Sequence, residues 1–305
     1  MVGRTHGQHA IPITLGFKFA NYTDKIGENL KRLKENENYI LGKFSGAVGV
    51  YAAQQIYGLG EKLEQKIMKK CGIKAADIST QVVARENLAR IISDLVIFAC
   101  SVEQIAKEIR NLQRPEIAEV SEGFGAKQVG SSTMAQKRNP IDSENICSNV
   151  RVLRSCLYPI FENIALEHER DLTNSANERS ILPTAFILMD DILIRMNKVL
   201  KNLIVFPENM RKNCELTKGT ILAEAVLTEL VKKGIGRQEA HEILRKSSLK
   251  VFSENCNLKE ILLQNKKVIE CLTKNELDKI MDYQNYIGLS VEKTNKIINK
   301  WKHFK

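Results

Sequence analysis

No glycine occurs between Gly72 and Gly123, or again between Gly130 and Gly219, and only six prolines punctuate the 305 residues. Glycine costs about 1 kcal/mol and proline about 3 kcal/mol inside a helix, so stretches without them leave long helices free to run. The apolar spacing says where. Leu88, Ile92, Leu95, Ala99, Val102, Ala106 and Ile109 alternate steps of four and three, which lays one seam along a helix suited to antiparallel bundle packing. Ile146, Val150, Leu153, Leu157, Ile160 and Ile164 repeat the pattern, with Pro159 expected to bend that helix. A third run passes through Phe186, Met189, Leu193, Met196, Leu200 and Leu203 before Pro207. An earlier helix is predicted from about Thr14 to Leu41, ending at Gly42.

The predicted class is therefore all-α, a long-helix bundle. Helices of roughly 25 residues reach about 38 Å, and rods of that length usually find partners. Ile91, Phe98 and Ile105 flank the first seam and are expected to offer a second surface to helices of other subunits. After Gly234 the helices shorten, broken by Gly236, Asn255 and Asn257. This places a boundary between Lys232 and Gly236, with the bundle over 1–233 and a smaller helical domain over 234–305.

Composition excludes several classes. No apolar run reaches the about 18 residues of a membrane span, and the opening residues do not read as a charged-then-apolar leader, which predicts a cytoplasmic protein. The seven cysteines are scattered and form no CxxC pair, which argues for reduced, mostly buried thiols and against a disulfide framework or a metal site. The formal charge is +10, but the lysines are mixed with acids and no basic run is interleaved with stacking aromatics. That fits a lysine-rich surface or an acidic small-molecule ligand better than nucleic acid.

Two constellations carry chemistry. Gly130-Ser131-Ser132-Thr133-Met134-Ala135-Gln136-Lys137-Arg138-Asn139-Pro140 packs hydroxyls, a cation and an amide into a loop just before a helix. A substrate carboxylate there would meet Lys137, the Asn139 amide and free N–H groups at the helix start. The plain alternative is a serine-rich turn capping the helix. The second constellation is Gly3-Arg4-Thr5-His6-Gly7-Gln8-His9, which presents a histidine able to titrate near neutral pH.

Together, GRTHGQHAIPITLG and GSSTMAQKRNPIDSEN resemble the fumarase/aspartase superfamily of lyases. THGQ, with Gly7 where other branches tend to carry leucine, looks like the adenylosuccinate lyase branch. Lys43 to Gly49, Ile78 to Gln81, and His168 to Asp171 leading to Ser175 to Arg179 agree with it. The resemblance implies a β-elimination releasing fumarate from adenylosuccinate to leave AMP, and from the succinyl-carboxamide imidazole ribotide of purine synthesis. It implies no cofactor and no metal. By correspondence Ser131 is the base and His6 the acid; Lys137 and Asn139 hold the succinyl carboxylates; Arg170, Arg179 and Ser175 grip the phosphate or its neighbours. Gln81 contacts a substrate amide, and Glu144 supports the site. His9, His168 and His241 are read as structural. The implied partners are succinyl-purine nucleotides, AMP and fumarate, in a homotetramer with shared sites, without nucleic acid or membrane.

The segment from Gln113 to Gly130 is expected to serve as a lid. Where relatives carry a proline and often a histidine, this chain has Ala135 and Gln136. Relatives also carry a long segment upstream of the THG motif, with an Arg-Tyr phosphate contact and a further histidine, that is not in this sequence. The alternatives are an inactive, shortened homologue acting as a nucleotide-binding or oligomer scaffold, or another fumarate-releasing lyase such as argininosuccinate lyase.

Overall fold

The computed structural model describes residues 1–123, 134 and 136–304. They are mostly helical, with a few short strands. An antiparallel hairpin opens the chain, β1 (Val2–Thr5) and β2 (Gln8–Pro12), and a short parallel pair joins β3 (Leu41–Gly42) to β4 (Lys74–Ala75). The helices are α1 (Leu15–Glu35), α2 (Ala52–Ile56), α3 (Gly60–Lys70), α4 (Glu86–Leu112), α5 (Ile141–Ser155), α6 (Leu157–Glu162) and α7 (Thr173–Lys201). Then follow α8 (Pro207–Glu215), α9 (Ala223–Lys232), α10 (Arg237–Glu254), α11 (Leu258–Leu263), α12 (Lys266–Cys271), α13 (Lys274–Ile280) and α14 (Ser290–Trp301). None of the described helices is long and apolar enough to cross a membrane.

Two compact units result. One comprises Met1–Asp24, Leu112–Val120 and Val205–Lys305; the other comprises Lys25–Asn111 and Ser121–Ile204. The second holds the long helices. Its α4 seam is buried along Ile92, Ala99, Val102, Ala106 and Ile109, as the spacing predicts. On α5 the residues Ile146, Val150 and Leu153 are fully buried, and α5 packs along α7.

Four local expectations change. Helix α1 ends at Glu35 and tightens into a 3₁₀ turn over Asn36–Tyr39, because the Asn38 amide donates to the Glu35 carbonyl at 3.1 Å and competes with the helical ladder. Pro159 does more than bend its helix. It has no N–H for the carbonyl of Ser155, so α5 stops there and α6 restarts at Leu157, with the Pro in its first turn. On α7 the buried seam is Ala185, Met189, Ile192, Met196 and Val199, while Phe186 and Leu200 are exposed. That helix carries two apolar stripes, and packing on α5 selects one. Phe98 and Ile105 are buried within the chain itself and do not form an outward surface.

The first unit has its own core, built by Val226 and Leu230 of α9, Ala240, Leu244 and Val251 of α10, and Leu258, Leu262, Val268 and Leu277 beyond. The boundary expected at 232–236 falls inside it. Capping boxes at Asn257/Glu260 and Thr273/Glu276 start α11 and α13 sharply. A smaller cluster of Val2, Cys214, Ile221 and Leu222 seats the start of the hairpin. Cys147, Cys156 and Cys214 are buried thiols, whereas Cys71 is exposed.

Candidate active site

His6 and Gly7 form the two-residue turn of the opening hairpin, with φ of 53° and 73°. Both left-handed residues suit the right-handed twist of the strands, and a glycine at the second position makes the turn accessible. The pairing Thr5↔Gln8 and Arg4↔His9 places His6 exposed at the tip. Just behind the tip, Arg4 donates both arms of its guanidinium to Glu119, at 2.9 and 2.8 Å. Glu119 is wholly buried and also accepts from the Asn213 amide at 2.8 Å. Burial, then the neighbouring Arg4 charge, push the His9 imidazole below its ordinary pKa, with Glu119 opposing.

In the other unit, three segments far apart in sequence meet. Lys43 donates to the carbonyls of Gly46 at 2.7 Å, Thr80 at 2.8 Å and Gln81 at 3.2 Å. The Gln81 N–H donates to the Glu169 carbonyl at 3.2 Å, and Arg170 donates to the Gln81 side-chain oxygen at 3.2 Å. Ser45 and Ser79 hydroxyls bond at 3.0 Å. The loop from Lys43 is held at its base by buried Glu64, which accepts from the Phe44 N–H and the Tyr51 hydroxyl. That bond from Tyr51 to the Glu64 carboxylate pushes the phenol up to about 12.

Helix α7 is started by Asp171, whose carboxylate accepts from the N–H groups of Glu167 at 2.6 Å and Thr173 at 2.7 Å and from the Thr173 hydroxyl. Those backbone and hydroxyl donors hold its carboxyl below the usual range. One turn on, Arg179 donates to the Ser175 carbonyl at 3.1 Å and hydroxyl at 3.4 Å. Glu178 pairs with Arg85 at 3.2 Å and accepts from Asn174 at 3.0 Å, fixing the face of the helix beside them.

The serine-rich loop enters α5 through Lys137, which is exposed, and Asn139, which is half-buried. Ser131 lies outside the described residues. One expectation about this helix start is corrected. The N–H groups of Asp142 and Ser143 are not free for a substrate carboxylate: they donate to buried Glu122, at 3.2 and 2.7 Å. A buried carboxylate at a helix start satisfies both the unpaired donors and the dipole. Glu144 is exposed. The expected lid is also revised in its first part. Residues 117–119 are pinned by Asn213 and Asn209, which donate to the carbonyls of Ile117 and Ala118, each at 2.8 Å, and by buried Glu119. Residues 124–130 lie outside the described part.

The fold and motifs have close counterparts. A lyase family model matches residues 1–153, and a model of the adenylosuccinate lyase C-terminus matches residues 219–297. The chain is 46% identical over 302 residues to adenylosuccinate lyase of Pyrococcus abyssi, covering 98% of this chain and 66% of that one. It is 44% identical to adenylosuccinate lyase of Methanothermobacter thermautotrophicus, covering 98% and 68%.

The chain belongs to the adenylosuccinate lyase family.

The crystal structure of fumarate lyase from Mesorhizobium superposes with a TM-score of 0.88 at 27% identity, over 98% of this chain and 66% of that one. A 3-carboxy-cis,cis-muconate lactonizing enzyme from Pseudomonas putida gives the same score and identity. The chain thus spans about two thirds of the length of the relatives it matches. Against the family reading of the sequence, the structure brings Gln81 to Arg170 and Ser175 to Arg179. His6 belongs to the other unit.

Sequence reasoning passed over Arg4, Glu119, Lys43 and Glu64. Arg4 and Lys43 sit inside the quoted motifs, which was the one available signal. The partners of Arg4 and Glu64 lie 115 and 20 or fewer residues away respectively, a relation no spacing rule reports.

Proposed function

We propose that this chain carries the elimination machinery of an adenylosuccinate lyase, releasing fumarate from adenylosuccinate and from the related succinyl-carboxamide imidazole ribotide. The observation that carries the reading is the meeting of Lys43, Gln81 and Arg170, which lie in three separate segments whose motifs resemble the family. Arg170 donates from Nη1 to the Gln81 side-chain oxygen. Its remaining terminal N–H donors suit an anionic substrate group, a task to which the planar guanidinium is well matched.

In this reading Ser131 removes the proton on the carbon beside a succinyl carboxylate, and the electron pair is held as a dianionic carboxylate stabilised by Lys137 and Asn139. The carbon–nitrogen bond then breaks, and His6 protonates the departing nitrogen. Gln81 orients the substrate, while Arg170, Arg179 and Ser175 hold the phosphate side. The exposed turn that carries His6 is suited to reach a site completed by other subunits, in a cytoplasmic homotetramer.

The test is fumarate release from adenylosuccinate, followed by ultraviolet absorbance, with Ser131→Ala and His6→Ala. Each substitution should lower kcat by roughly 10² or more, and wild-type turnover that survives both would refute the assignment.

A further inference from the structure

We propose that the buried Arg4–Glu119 fork is the positioning couple for His6. The inference rests on the reading of His6 as the acid. His6 is a non-glycine residue held at φ 53° in a two-residue turn, so its direction is set by the strands beneath it. Arg4 lies two residues before it on β1, in register with His9 on β2. The guanidinium meets the Glu119 carboxylate through two parallel bonds of 2.9 and 2.8 Å, the geometry that fixes orientation as well as distance.

Glu119 is in turn immobilised. Its side chain is fully buried, Asn213 donates to it at 2.8 Å, and its own N–H and carbonyl are bonded to the Leu112 carbonyl at 2.9 Å and the Phe206 N–H at 3.0 Å. Asn209 and Asn213 of α8 also hold the carbonyls of Ala118 and Ile117, and Ala118 itself takes a left-handed φ of 48°. Next to the turn, β1 is thus braced against this unit by the Arg4 side chain, in addition to the Val2 contacts at the start of the hairpin. Without the fork the hairpin keeps its strand pairing and Val2 anchor, but the tip loses its lateral brace.

The test compares the wild-type chain with Arg4→Lys, which keeps the charge and loses the fork, and with Arg4→Met/Glu119→Met, which removes both charges and leaves none buried alone. Amide exchange at residues 5–8 should accelerate by roughly tenfold or more in both, while the α9 to α13 core keeps its protection. In the elimination assay kcat should fall by about 10² with KM within about threefold, as expected when an acid is displaced rather than substrate binding lost. Unchanged exchange at the turn overturns the proposal. So does loss of protection throughout the unit, which marks the pair as a general structural element. If the wild-type chain shows no elimination, the lyase reading falls alone, because the exchange measurement still decides whether the fork positions His6.

Discussion

Replacing Gly49 by alanine should unfold the loop that gathers the candidate site. Gly49 has φ of +87°, and a Cβ placed on it lies 1.9 Å from the Ser79 carbonyl oxygen, where ordinary contact begins at 3.4 Å. Two backbones must therefore part by well over an ångström, since neither atom is the end of a flexible side chain. The left-handed conformation alone costs alanine about 1–2 kcal/mol. Moving Ser79 also loosens the Lys43 ammonium from the Thr80 and Gln81 carbonyls, and a hydrogen bond to a charged group is worth about 1.5–3 kcal/mol. The total is roughly 3–4 kcal/mol. Gly58 provides the internal control: its φ is +66°, but nothing lies within 4 Å of its Cβ position, so alanine there meets only the conformational cost. Urea unfolding should separate the two variants by about 2 kcal/mol, a midpoint difference of about 1 M for a slope near 2 kcal/mol per molar. Coincident midpoints would show that the close approach of the two loops does not contribute to stability.

Leu153→Ala removes a fully buried side chain from the α5 seam and should cost about 2–5 kcal/mol in urea unfolding; a loss below about 1 kcal/mol would mean the site collapses around the cavity. Because the bond to Glu64 raises the Tyr51 phenol from its ordinary 10.0 to about 12, its contribution is complete below about 10 and lost as pH climbs through about 12. Tyr283 and Tyr286 are also raised, both chiefly by burial, so spectrophotometric titration should show a late-ionising group of tyrosines that loses its component near 12 in Tyr51→Phe; a titration curve unchanged by that substitution would contradict the pairing. Burial pushes Glu103 upward, but bonds from Lys107 and Arg154 outweigh it and leave the carboxyl below its ordinary 4.5. Its stabilisation is therefore present above about 4.5 and fades as pH falls through the lower folded value, so Glu103→Gln should flatten the acid limb of Tm against pH; superimposable limbs would discount the cluster.

Helix class and the α4 seam were legible because helical burial repeats every three or four residues and leaves its period in the sequence. The same rule misled on α7. Phe186, Ile187 and Ile194 make a second apolar stripe, and periodicity cannot rank two stripes by which one a neighbour will cover. The break before Pro159 was half visible: the proline announces a disturbance, but not that the preceding helix ends at Ser155. In the site, motif residues such as Gln81 and Arg170 were identifiable by chemistry and resemblance, whereas the Glu122 carboxylate that fills the start of α5 was not. Nothing about Glu122 in the sequence distinguishes it from any other acid in a loop.

What the chain's residues determine unaided is where helices run and which side chains can hold an anion or move a proton, since both are properties of local spacing and functional groups. Which charges are sequestered, and against what, was decided only when the chain closed on itself. Arg4 and Glu119 are 115 positions apart, and the fork between them exists because folding brings a strand and a loop within 3 Å and excludes water from the carboxylate. A guanidinium and a carboxylate with no such burial would be one more exchangeable surface pair.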